Sequence, residues 1–138
     1  MRILVDTNTV MDILLKREPH FEASYGAIRY ATEQGYECFI SASAVTDIFY
    51  LIRRELKSVD EARKSIDRLL TLFEIADVQD TDIRNALSSS MHDFEDAVVH
   101  AIALRYRTDM ILTRNTKDFT ETSMPIYTPS EFLERANS

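Results

Sequence analysis

The sequence predicts an α/β domain with a central, mostly parallel sheet of about five strands and helices on both faces. Three observations carry this expectation. Short apolar runs such as Ile3-Leu4-Val5 and Met110-Ile111-Leu112 read as strands buried on both faces. One or two stretches with apolar residues at helical spacing separate each such run from the next. Only 2 Gly and 3 Pro in 138 residues leave too few tight-turn residues for a sandwich of many hairpins.

In chain order, residues 3–5 form the first strand, which ends on Asp6. A short apolar-faced helix follows over 10–15, with Thr7, Asn8 and Thr9 as candidate caps, and Lys16-Arg17-Glu18-Pro19 stops it. The competing reading is that Asp6 itself caps this helix. Phe21, Tyr25, Ile28 and Ala31 recur at helical spacing over 21–32, with Gly35 as the residue beyond the C-cap. A second strand is expected over 36–40. Ser41 or Ser43 caps a third helix over 44–56, and residues 57–60 break it. A fourth helix covers 61–73 with Ile66, Leu69, Leu70 and Phe73 inward. Then come a strand over 74–78, helices over 81–88 and 92–105, strands over 110–113 and 125–127, and a last helix over 130–136 capped at Ser130. With no internal repeat and no linker-like segment, residues 1–138 are expected to form one domain.

Composition narrows the function classes. Hydrophobic content of 45% with 28% charged residues describes a globular chain. The single Cys38 excludes an internal disulfide and a cysteine zinc cage, which fits a reducing cytoplasm. Asp6 interrupts the N-terminus too early for a secretory leader, and the apolar run 48–52 is far too short to span a bilayer. Net charge is −7, concentrated in residues 70–138, which carry six basic against twelve acidic groups. Such a chain binds phosphates poorly by itself and suits cations or a basic partner segment.

The informative acids are those with apolar neighbours. Asp6 stands at the tip of the first strand, where open α/β sheets bind ligands. Asp47 sits in Ala44-Val45-Thr46-Asp47-Ile48-Phe49-Tyr50-Leu51, with few polar neighbours, and is expected to be buried and to need a partner. Asp93, Asp96 and His100 share the polar stripe of an otherwise apolar helix. The bland reading of the two acids is ordinary helix-start chemistry, and of His100 a surface or supporting residue. Thr113, Asn115 and Asp118 follow the fourth strand as Asp6 and Asn8 follow the first; turn chemistry is the alternative there. Acids gathered in one crevice raise one another's pKa and call for a counter-cation. With one Cys and three His, oxygen-bound Mg²⁺ or Mn²⁺ fits better than zinc.

These residues carry a resemblance to the PIN-domain proteins, and among them to the toxin ribonucleases of VapBC-type toxin–antitoxin pairs. The matching stretches are Ile3-Leu4-Val5-Asp6-Thr7-Asn8, Ile40-Ser41 with Asp47, Asp93-Phe94-Glu95-Asp96-Ala97, and Ile111-Leu112-Thr113-Arg114-Asn115 with Asp118-Phe119. The resemblance implies a three-layer α/β/α fold and an endoribonuclease dependent on Mg²⁺ or Mn²⁺. It implies catalytic roles for Asp6, Asp47, Asp96 and Asp118, with Asp6, Asp96 and Asp47 as metal ligands and Asp6 as the bridge if two ions bind. Asn8, Thr113, Asn115 and Asp93 would support them. Asp47 stands where the family usually has Glu, and Asn115 where many members have Asp, so the fourth acid is either absent or supplied by Asp118. Arg114 and Lys117 are candidate substrate contacts, as are Arg53, Arg54, Lys57, Arg63 and Lys64, whose alternative is a solvated helix surface. An antitoxin with a basic segment and a homodimer are the implied protein partners, and no membrane is expected. Two rival readings are a catalytically weakened PIN-like binding module and a haloacid-dehalogenase-like phosphatase, which expects a second Asp where this chain has Asn8.

Overall fold

The computed structural model describes residues 1–120 and 122–137. Its sheet has five strands, all parallel, in the order β3-β2-β1-β4-β5. They are β1 (Arg2–Val5), β2 (Glu37–Ser41), β3 (Glu74–Ala76), β4 (Met110–Leu112) and β5 (Ile126–Tyr127). The helices are α1 (Thr7–Leu14), α2 (Phe21–Glu33), α3 (Ala42–Leu56), α4 (Val59–Leu72), α5 (Asp80–Ser88), α6 (Phe94–Arg105) and α7 (Pro129–Ala136). Among the described residues, no helix is long and apolar enough to cross a membrane.

Strand alternation divides the core in two. Ile3, Val5, Cys38, Ile40, Met110 and Leu112 face α1, α2, α3, α4 and α7. Leu4, Phe39 and Ile111 face the other way, against α5 and α6. Both faces are covered, so the central strands read as unbroken apolar runs. Burying Ile48 and Ile52 of α3 contributes about 1.5–3 kcal/mol each. Cys38 lies in the first cluster, and burial pushes its thiol up to about 11. Cys38 is therefore expected to react with a thiol reagent only on unfolding; native-state labelling as fast as a free thiol would contradict this packing.

Several expectations shift in detail. Asp6, not the residues after it, is the N-cap of α1. Ser41 caps α3, as one of the two alternatives had it. Leu70 points outward at 40% exposure, because the buried stripe of α4 runs through Ala62, Ser65 and Leu69. Thr128 rather than Ser130 caps α7, with Glu131 completing a reciprocal capping box and Pro129 in the first turn. A 3₁₀ turn, Thr116–Asp118, follows β4 where only a loop is expected.

The strand order reverses direction at β1. The chain first builds outward through β2 and β3, then crosses back to lay β4 on the other side of β1. The C-terminal ends of β1 and β4 thus flank a topological switch point, where such sheets form a crevice. Arg105 fixes the helix that overhangs it. Its guanidinium bonds both oxygens of Asp82, at 3.0 and 2.8 Å, and Asp77 at 3.0 Å, tying the end of α6 to the start of α5.

Candidate active site

Asp6 closes β1 and is 8% exposed. One carboxylate oxygen accepts the Thr7 N–H at 2.8 Å, and the other accepts the Thr113 hydroxyl at 2.9 Å. Thr113, fully buried just beyond β4, also accepts from the Asn8 side-chain amide at 3.2 Å and from the Asn115 N–H at 3.1 Å. Both of those groups are donors only, so the single hydroxyl proton of Thr113 is directed at Asp6. The Asn8 carbonyl in turn accepts the Arg114 N–H at 3.2 Å. Two strand tips 107 residues apart are thereby locked to one another.

α6 brings the next acids. Asp93 caps it, accepting the Asp96 N–H at 2.9 Å, and Asp96 is half-buried in the first turn. Burial pushes the Asp96 carboxyl up to about 7, with the charges of Asp6, Asp93, Asp118 and Glu95 adding to the shift. Asp6 is also raised, first by burial and further by Asp93 and Asp118, while its bonds to Thr113 and Thr7 oppose the rise. Glu95 is raised by burial, then by Asp47, Asp6 and Asp93. Asp118 is exposed at the end of the 3₁₀ turn, next to Phe119, whose ring is buried against the α6 side of the core. Further along the same loop, the Thr122 hydroxyl lies 2.6 Å from His100 Nε2, clipping the loop to α6.

The donor set is carboxylate, amide and hydroxyl oxygen, which suits a hard divalent cation. Mutual repulsion among the acids supplies the electrostatic reason for one. Among the described residues no three of these carboxylates converge into a ready-made cage. The raised carboxyls also bear on stability. A group whose folded pKa lies above its unfolded value holds its proton more tightly in the native state, so stability falls as pH rises through that interval. Metal-free protein is expected to lose stability on this account between about pH 4 and 7, and Asp96→Asn to flatten the slope. Urea midpoints across that range, in chelator, check this; identical slopes in the two proteins would contradict it.

A family model described as PIN domain matches residues 2–117. This chain belongs to the PIN-domain family. Ribonuclease VapC1 of Aquifex aeolicus (strain VF5) is 24% identical over 142 residues, covering 99% of this chain and 96% of that protein. Among solved structures, VapBC2 from Rickettsia felis bound to a DNA fragment from their promoter matches with a TM-score of 0.72. Its identity is 15%, over 93% of this chain and 98% of that one. A toxin–antitoxin complex from Klebsiella pneumoniae matches with a TM-score of 0.68 at 20% identity, over 92% of this chain and 97% of that one. The likeness to these structures is one of fold.

In this PIN domain, the charges of Asp6, Asp93 and Asp118 all act on Asp96, Thr113 bonds Asp6, and Asn8 bonds Thr113. Asn115 contributes its backbone N–H, and the residue is exposed. Asp47 is exposed, not buried. The inward stripe of α3 is Ala44, Ile48 and Ile52, and Asp47 shares the outer side with Tyr50, itself 64% exposed, whose aromatic body makes the stretch look buried. Asp47 stands near Glu95 on the α3 flank.

Arg114 is not a free phosphate contact. Its guanidinium bonds both oxygens of Asp12, at 2.7 and 3.2 Å, and Asp12 is fully buried. Lys117 remains exposed on the 3₁₀ turn. Arg53, Arg54 and Lys57 stand at the far end of α3, about 20 Å along the helix from the strand tips, so they line no part of the crevice. Sequence spacing misses two acids. Glu95 lies inside a quoted motif, and Asp12 sits in the apolar run Val10-Met11-Asp12-Ile13-Leu14, the same signal that draws attention to Asp47.

Proposed function

We propose that this PIN domain is a Mg²⁺- or Mn²⁺-dependent endoribonuclease and the toxin of a toxin–antitoxin pair. The observation that carries this reading is the pair of raised carboxyls at the β1/β4 switch point, Asp6 and Asp96, each pushed up first by burial and further by neighbouring acids, which a divalent cation would relieve. Similarity to a protein named as a ribonuclease supports the choice of reaction, and similarity to toxin–antitoxin complexes supports the choice of partner.

Asp6 and Asp96 would hold the ion, with Asp118 and Asp47 the acids on either side. When bound, the ion supplies an activated water and charge neutralisation for in-line attack on a phosphodiester. Thr113 fixes the rotamer of Asp6, Asn8 fixes Thr113, and Asp93 holds the first turn of α6 so that Asp96 faces the crevice. The acids that draw in a cation also repel bare phosphate, so RNA binding and metal binding are expected to be mutually reinforcing.

Incubating the protein with structured RNAs in Mg²⁺, Mn²⁺ or EDTA tests the reading; cleavage that survives EDTA would overturn it. Millimolar Mg²⁺ or Mn²⁺ is also expected to raise the melting temperature by binding only the folded state. The absence of both cleavage and a thermal shift would favour the weakened binding module, a reading supported by Asp47 standing where the family usually has Glu and Asn115 where many members have Asp. The proposed antitoxin offers a basic segment to the acidic crevice. An apolar groove of about 240 Å³ between α1, α2 and α4, lined by Ile13, Leu14, Ile28 and Leu72, gives further packing area. Exposed Tyr50 and Leu87 are available to a homodimer contact.

A further inference from the structure

A second depression adjoins Asp6 through Thr7, on the β2 side of the switch point. It has a volume of about 300 Å³ and lies between the start of α3, the start of α6 and α5. Its walls are of two kinds. Phe94, 48% exposed, Ile83, 37% exposed, and Val78 give it an apolar side, while Ser41, Ser43, Asp47 and Glu95 give it oxygen acceptors. Among the described residues, no Lys, Arg or His lines it. The Ser41 and Ser43 hydroxyls are 3.1 Å apart, which fixes the polar rim.

This chemistry rejects one part of a nucleotide and suits another. A phosphate would meet the Asp47 and Glu95 carboxylates and no basic side chain. A nucleobase presents a flat apolar face and, on adenine, cytosine and guanine, an exocyclic amine that donates hydrogen bonds. We propose that this groove is a subsite for an amine-bearing nucleobase of single-stranded RNA next to the scissile phosphate, with Phe94 as the stacking platform and Glu95 as an acceptor for the amine. The inference rests on the ribonuclease reading for its choice of polymer.

Fluorescence anisotropy with labelled single-stranded A12, C12 and U12 RNAs, in Ca²⁺, tests the subsite without requiring turnover. Wild-type protein is expected to bind A12 and C12 more tightly than U12. Phe94→Ala should weaken A12 and C12 binding about fivefold to a hundredfold, Phe94→Trp should retain it, and Glu95→Gln should shrink the preference over U12. Leu104→Ala, at an exposed apolar residue near the other end of α6, serves as the control and should leave binding unchanged. Equal binding of all three RNAs by wild type and Phe94→Ala would overturn the subsite, even if cleavage persists. Phe94-dependent binding without cleavage would overturn the nuclease reading and keep the subsite. No binding of any of the three RNAs would overturn the subsite, and only with loss of cleavage as well would it count against the nuclease reading.

Discussion

Asp6→Asn is expected to abolish metal-dependent RNA cleavage while leaving the fold intact. Asn caps helices as well as Asp, so the Thr7 N–H keeps its acceptor, while the amide nitrogen takes the place of the oxygen that receives the Thr113 hydroxyl. The charge and one hydrogen bond are lost. Because burial and the nearby charges of Asp93 and Asp118 oppose ionisation of Asp6, removing that charge should offset the lost bond and hold the metal-free melting temperature. Changing a residue that supports a metal ligand typically costs about 10–100-fold, so loss of a central ligand should exceed about a hundredfold. Thr113→Val should fall within the smaller range. Initial cleavage rates beside thermal melts would separate the two roles of Asp6; a variant as active as wild type would show that it is a cap and nothing more.

The largest stability effect is expected at the opposite edge of the same turn. Among the described residues, Arg114→Ala leaves Asp12, which has no exposed surface, with only the Ser24 hydroxyl at 3.3 Å as a side-chain partner. Breaking a buried pair by removing one partner costs about 3–5 kcal/mol. Since 28% of the Arg114 side chain meets solvent, water can partly replace it, and the lower end of that range, about 3 kcal/mol, is expected. Arg84→Ala, which removes an exposed i,i+4 partner of Asp80, should cost less than about 1 kcal/mol. Urea unfolding of the two variants makes the comparison. Equal losses would mean that the Asp12 pair is solvated in the folded protein.

The central strands and their order of appearance are legible because burial on both faces writes itself as runs such as Ile3-Leu4-Val5. Asp6 is legible for the same reason, since a carboxylate directly after such a run can only lie at its tip. Asp47 misleads because sequence spacing reports neighbours on a helix and not what faces them across space. Tyr50 and Phe49 resemble core, yet Tyr50 lies on the solvent side. Arg114 misleads because its partner is 102 residues away, and no local pattern joins a cation after β4 to an acid inside α1. The cap of α7 slips by two residues because Thr128-Pro129-Ser130 offers two hydroxyls, and only Glu131 reaching back to Thr128 decides between them.

The placement of β1 between β2 and β4 has a consequence in time. During synthesis the first strand emerges long before its neighbour on the crevice side, and Thr113, which orients Asp6, is made 107 residues after it. Asp96 and Asp118 arrive late as well. A ribosome-bound chain truncated before β4 therefore holds Asp6 without its partners and has no crevice to offer. Under the proposed function, no activity is available until β4 and the turn after it have been made, so that a shorter nascent copy is inert.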